Sequence, residues 1–113
     1  MASYHRSAVL HRRLEDRSRE ALAWHGAGNV YQRLNRDDEA AEFHRRAATV
    51  QNKLGYPWYE AIALDGLATA LQGVGIEQSR QRWSEALRLL ADYDDPRAEG
   101  IRRHIEGRLA ESR

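Results

Sequence analysis

The chain has no cysteine. Disulfides, thiolate chemistry and cysteine-ligated zinc are therefore out of reach, and a cytoplasmic setting is expected. Two prolines and eight glycines are few interruptions for 113 residues, which favours long helices. A single Phe and few β-branched residues argue against a sheet. Neither sign of charge dominates: 18 basic and 17 acidic residues leave a net charge of +1. That balance supplies no general attraction to nucleic acid or to an anionic membrane, so neither is an expected partner. No stretch approaches the ~18 consecutive apolar residues of a membrane span. The opening MASYHRSAVLHRR lacks the apolar centre of a signal peptide. Lysine is almost absent, Lys53 being the only one, an arginine-for-lysine bias associated with GC-rich bacterial genomes.

What is present is a soluble, globular balance of 42% hydrophobic and 31% charged residues in a chain of one-domain length. Its most informative feature is internal repetition. Ala21 to Ala47 reads as two helices joined by a tight turn, and the pattern recurs from Ala61 to Ala86. Glu20-Ala21-Leu22-Ala23 matches Glu60-Ala61-Ile62-Ala63 at a shift of 40, as Tyr31 matches Leu71 and Asn35 matches Gly75. Ala47 matches Ala86 at a shift of 39, so the second copy is one residue shorter after its turn. Gly28 and Ala68 fall in mid-helix, where Gly costs about 1 kcal/mol against Ala and is tolerable if another element must come close. Ala40, Ala47 and Ala86 fall where the second helix presses on the first, among Trp24 and Tyr31 in one copy and Leu64, Leu67 and Leu71 in the other. Small against large is what a tight antiparallel helix pair needs.

Trp24, Ala27-Gly28 and Tyr31, followed by Ala40 and His44, stand at the spacing W-x2-L-G-x2-Y…A-x3-F. Leu64, Leu67-Ala68 and Leu71, followed by Ser79 and Trp83, stand there again. The chain thus resembles the tetratricopeptide repeat (TPR) family, with Ala27 in place of the usual Leu, His44 in place of the usual aromatic and Ser79 at a small-residue position. A repeat of 40 rather than 34 residues is similar to the longer-helix variety of kinesin light chains and of bacterial transcription regulators and signal-transduction ATPases. The resemblance implies an all-α fold of antiparallel helix-turn-helix repeats wound into a right-handed superhelix.

The chain divides accordingly into a half repeat (1–16), repeat one (17–55), repeat two (56–92) and a capping helix (95–113), about six helices in all. In the half repeat, Ala8, Leu10 and Leu14 fall on Ala48, Val50 and Leu54. Its arginines, offset by Glu15, Asp16 and Glu20, read as a solvated face. The next helix runs from about Arg17 to Leu34. Asn35 ends it in the left-handed conformation, and Asp37 is the expected N-cap of a helix reaching Leu54. Gly55 stops that helix and Pro57 starts the next, which extends to about Val74. Glu77 begins the helix that ends near Leu90. Asp95 caps the last helix, with Pro96 at its first position. That helix carries a narrow apolar stripe of Ala98, Ile101, Ile105 and Leu109, fit for a solubilising end, and Arg113 is expected near the natural C-terminus.

A search for chemistry finds no catalytic constellation. No two of the five histidines have the spacing of HExxH, there is no phosphate-binding glycine loop or nucleophile elbow, and the carboxylates gather where helix starts explain them. No metal, no cofactor and no enzymatic activity are expected. His44 is read as a packing residue. Tyr56, Trp58 and Tyr59 are read as packing between repeats, with a ligand-facing role as the alternative. The first helices of successive TPR pairs line a concave groove. The resemblance therefore implies a peptide-binding face at His25, Asn29, Gln32 and Arg33, at Asp65, Thr69 and Gln72, and at Arg102 and Glu106. In such proteins an Asn at the place of Asn29 bonds the backbone of an extended peptide, and a basic residue such as Arg33 can hold a carboxylate. The expected function is a protein- or peptide-binding module, in the regulatory C-terminal part of a bacterial transcription regulator. The alternative is a structural segment of a longer array, or one that forms a homodimer through its N-terminal helix with no ligand in its own groove.

Overall fold

The computed structural model describes residues 2–112, with side chains from Arg13 to Ser112. Its order is α1 (Ala2–Arg33), α2 (Asp37–Leu54), α3 (Pro57–Leu71), α4 (Ile76–Leu90) and α5 (Pro96–Glu111), with no strand among the described residues. The all-α expectation holds, but the described residues form five helices where about six were expected. The expected boundary near residue 16 does not exist, because α1 runs straight through it. At the junction forty residues later Gly55 is left-handed, φ 76°, and Pro57 opens α3. Glu15 and Arg17 stand at the equivalent places, and both are good helix formers that stop nothing. The side chains of the half-repeat residues Ala8 and Leu10 lie outside the described residues.

Local chemistry sets the other ends. Asn35 is left-handed, φ 60°, and the Arg36 amide donates back to the Tyr31 carbonyl at 2.9 Å. Gly55 closes α2 the same way, the Tyr56 amide reaching the Gln51 carbonyl at 3.0 Å. These bonds satisfy carbonyls that a helix end leaves orphaned. Asp37 is not the N-cap of α2. Arg36 holds that position, and Asp37, Asp38 and Glu39 form a first turn whose negative charge favours the positive helix end. The α3 helix stops at Leu71, three residues early, and Gly75 leads into α4 from an extended conformation. Asp95 does cap α5, accepting from the Ala98 amide at 2.8 Å with Pro96 in the first turn.

Each of α1 to α4 packs chiefly on its sequence neighbour, α1 also touches α3, and α5 rests more lightly on α4. Alanines make the close approach possible: Ala21, Ala40, Ala61, Ala68 and Ala86 are all fully buried, around Trp83, Leu90 and Ile105. Polar ties fix the register. Ser18 and Gln51 bond each other reciprocally between α1 and α2, at 3.1 and 3.2 Å. Between α3 and α4, the buried Ser79 hydroxyl donates to the Ala68 carbonyl at 2.8 Å, so serine at this small-residue position is satisfied rather than strained.

The α5 helix repeats α3 at an offset of 39, Ala61 matching Gly100 and Ile62 matching Ile101. The α3 face that meets α4 is Leu64, Leu67 and Leu71, all buried. The corresponding α5 residues, Arg103, Glu106 and Ala110, are exposed, so among the described residues no helix covers this face of α5. Arginines tie the cap at both ends. Arg102 donates from α5 to the Leu90 and Tyr93 carbonyls beyond α4, 2.7 Å each, and Arg80 donates from α4 to the Leu109 carbonyl and the Ser112 hydroxyl of α5.

Candidate binding groove between the first helices

A groove of about 520 Å³ lies between α3 and α5. Trp58, Ile62 and Asp65 line one wall, and Arg97, Gly100, Ile101 and His104 the other. Each facing pair is 39 residues apart: Trp58 with Arg97, Ile62 with Ile101, Asp65 with His104. The repeat thus places like positions of successive first helices opposite one another. The Arg97 guanidinium sits 5.5 Å over the Trp58 ring, and His104 Nε2 lies 3.6 Å from the Asp65 carboxylate. Each wall spans two helical turns, so roughly 10 Å of apolar floor separates a cation from an acid–imidazole pair. Among the described residues Arg97 makes no ion pair. Trp58 also meets Tyr93 edge-on, so it packs between repeats and faces the groove at once.

The row continues to α1. His25 stands forty residues before Asp65, near enough for that carboxylate to favour its charged form. Burial outweighs this and lowers the His25 pKa. His25 Nδ1 lies 2.9 Å from His44 Nδ1, and His44 Nε2 lies 3.3 Å from Gln32 Oε1. Gln32 presents an acceptor, so His44 carries its proton on Nε2 and accepts from His25 at Nδ1, both rings being neutral. Burial, and then the neighbouring His25, push the His44 pKa down to about 4. The His44 ring is fully buried between two glycines. A methyl group added at Gly28 would come within 2.7 Å of it, and one at Gly66 within 2.6 Å. Asp65 also accepts from Trp83 Nε1 at 2.9 Å, which fixes the carboxylate in the row.

The sequence-selected residues separate into three groups. His25, Gln32 and Asp65 belong to the connected polar row, and Thr69 bonds the Asp65 carbonyl at 2.9 Å. Asn29, Arg33, Gln72 and Glu106 are exposed. Arg102 is turned to the carbonyl end of α4. The residues of α5 that do line the groove are Arg97, Gly100, Ile101 and His104. Carrying the 39-residue offset from Asp65 into the last helix points to His104, the signal a choice by exposed polarity alone passes over.

A second hollow, about 360 Å³, lies where α2, α3 and α4 meet. Its charges answer one another: Asn52 donates to both oxygens of Glu60, and Arg82 pairs with Glu85 at 2.6 Å. Among the described residues no three His, Asp or Glu side chains converge as metal ligands, and no helix is long and apolar enough to cross a membrane. Comparison of the chain with models of protein families, with curated proteins and with solved structures gave no match.

Proposed function

We propose that the chain is a TPR-like array whose first helices bind an extended segment of a protein or peptide, and that it serves as a regulatory module of a bacterial transcription regulator. The observation that carries the binding reading is the groove between α3 and α5. Its apolar floor of Trp58, Ile62 and Ile101 suits an apolar side chain. Arg97 at one end offers an unpaired guanidinium to a carboxylate, and the Asp65–His104 pair at the other offers an acceptor and a donor to a peptide bond. Support for the TPR reading comes from the offsets of 40 and 39 residues that relate α1 to α3, α2 to α4 and α3 to α5. The regulatory role rests on the resemblance alone.

Selection from a random peptide library tests the binding reading. Gly100 lines the groove and a Cβ there would meet nothing within 4 Å, so the backbone accepts a side chain at this position and Gly100→Leu extends one into the groove. Enriched peptides should share an apolar residue near an acidic one and should lose at least tenfold in affinity to Gly100→Leu. Failure to enrich any sequence, or binding indifferent to both Gly100→Leu and the Asn29→Ala/Arg33→Ala pair, would remove the groove as the working site.

A further inference from the structure

The two ends of the array differ. At the α5 end the face that would receive another helix is polar, as described above. At the α1 end it is not. On α3, the stripe Ala63, Gly66 and Ala70 is buried, with the His44 ring of α2 against Gly66. On α1 the equivalent stripe, forty residues earlier, is Ala23, Gly26 and Val30, and all three are exposed. A Cβ added at Gly26 would meet nothing within 4 Å, and Val30 is 53% exposed. One face of α1 therefore has the shape of a helix seat, with no helix from the described residues in it.

The sequence supplies a helix for that seat. Residues 1–14 repeat the pattern of α2, and at the offset of 40 Tyr4 stands to Gly26 as His44 stands to Gly66, while Ala8 stands for Ala48. Within one chain this segment cannot fold back, because α1 is continuous from Ala2 to Arg33 and Glu15 and Arg17 occupy the turn positions. It can reach the seat of another molecule. We infer that two copies pair through α1, antiparallel and two-fold symmetric, with the N-terminal half of each helix lying on the Ala23–Gly26–Val30 stripe of the other. The register of His44 on Gly66, moved back forty residues, puts the axis near Glu15. Because the contact is the same on both copies it closes on itself. This surface lies on α1 and shares no residue with the groove between α3 and α5, so the pairing does not rest on that groove.

Sedimentation equilibrium of the full chain tests the pairing. The expected mass is twice the 13.0 kDa of one chain in the micromolar range. Gly26→Arg should return the mass to one chain with helicity unchanged, since the position is open in the single molecule and Arg is the better helix former. Gly26→Ala should leave the pair intact. The cysteine-free chain allows a positional check: a Ser7→Cys chain mixed with an Ala23→Cys chain should crosslink through a short bis-maleimide far more readily than either alone. A single-chain mass into the high-micromolar range, a pair that survives Gly26→Arg, or crosslinking only between like variants would overturn the proposal.

Discussion

His44 and Trp83 occupy the same place in two successive joints, 39 residues apart, and both are fully buried. Each reaches back to the same position of its own first helix: His44 to His25, Trp83 to Asp65. The geometry is repeated and the chemistry is not. The first joint is a small polar ring squeezed between Gly28 and Gly66, held by two neutral hydrogen bonds. The second is a large apolar ring whose one polar atom donates to a carboxylate. A joint of the second kind gets its stability from area and packing. A joint of the first kind depends on the imidazoles remaining neutral.

The largest expected effect lies at the second joint. Trp83→Ala should destabilise the chain by about 3–5 kcal/mol, because it leaves a void between α3 and α4 and removes the donor from Asp65. His44→Ala should cost less, since it removes a smaller ring. Urea unfolding followed by far-UV circular dichroism measures both, and equal losses would mean that size does not distinguish the joints.

Acid should separate them next. Unfolded, His44 takes up a proton near its ordinary pKa of 6.5; folded, it resists until about 4. The unfolded chain therefore binds more protons in that window, so stability falls as the pH drops from 6.5 to about 4 and levels off below. The loss from His44 is roughly 3 kcal/mol, and His25, also lowered, acts in the same direction. Urea midpoints measured across this range should show the slope in the native chain and much less of it in His44→Phe, which keeps an aromatic ring but cannot titrate. An undiminished slope in that variant would place the acid sensitivity outside the first joint.

The glycines give the smallest and sharpest contrast. Gly66→Ala brings a methyl group within 2.6 Å of the confined His44 ring and should cost about 1–3 kcal/mol. Gly107→Ala meets open space and should stabilise by about 0.5–1 kcal/mol through helix propensity alone. Thermal melting of the two variants should move in opposite directions.

Helix ends were the most legible feature of this chain. Asn35, Gly55, Pro57 and the Asp95-Pro96 pair act through their own backbone preferences, and each sits where those preferences place it. The boundary expected near residue 16 rested on register with a later repeat, without a residue able to turn the chain, and the helix continues through it. Part of the polar row was legible as well, since His25 and Asp65 are equivalent positions. His104 required following the offset into a helix whose other positions have become polar. Nothing local to Arg102 indicates that its guanidinium closes the end of α4, because that role comes from carbonyls 9 and 12 residues away in sequence.

By itself the sequence determined the helical class, most of the helix limits and the repeat offset, because these follow from local propensity and from periodic burial of small and large residues. Tertiary structure decided which polar residues meet. One neutral imidazole donates to another between α1 and α2, an indole fixes Asp65, and a groove opens between α3 and α5, because packing brings together side chains that no local rule connects.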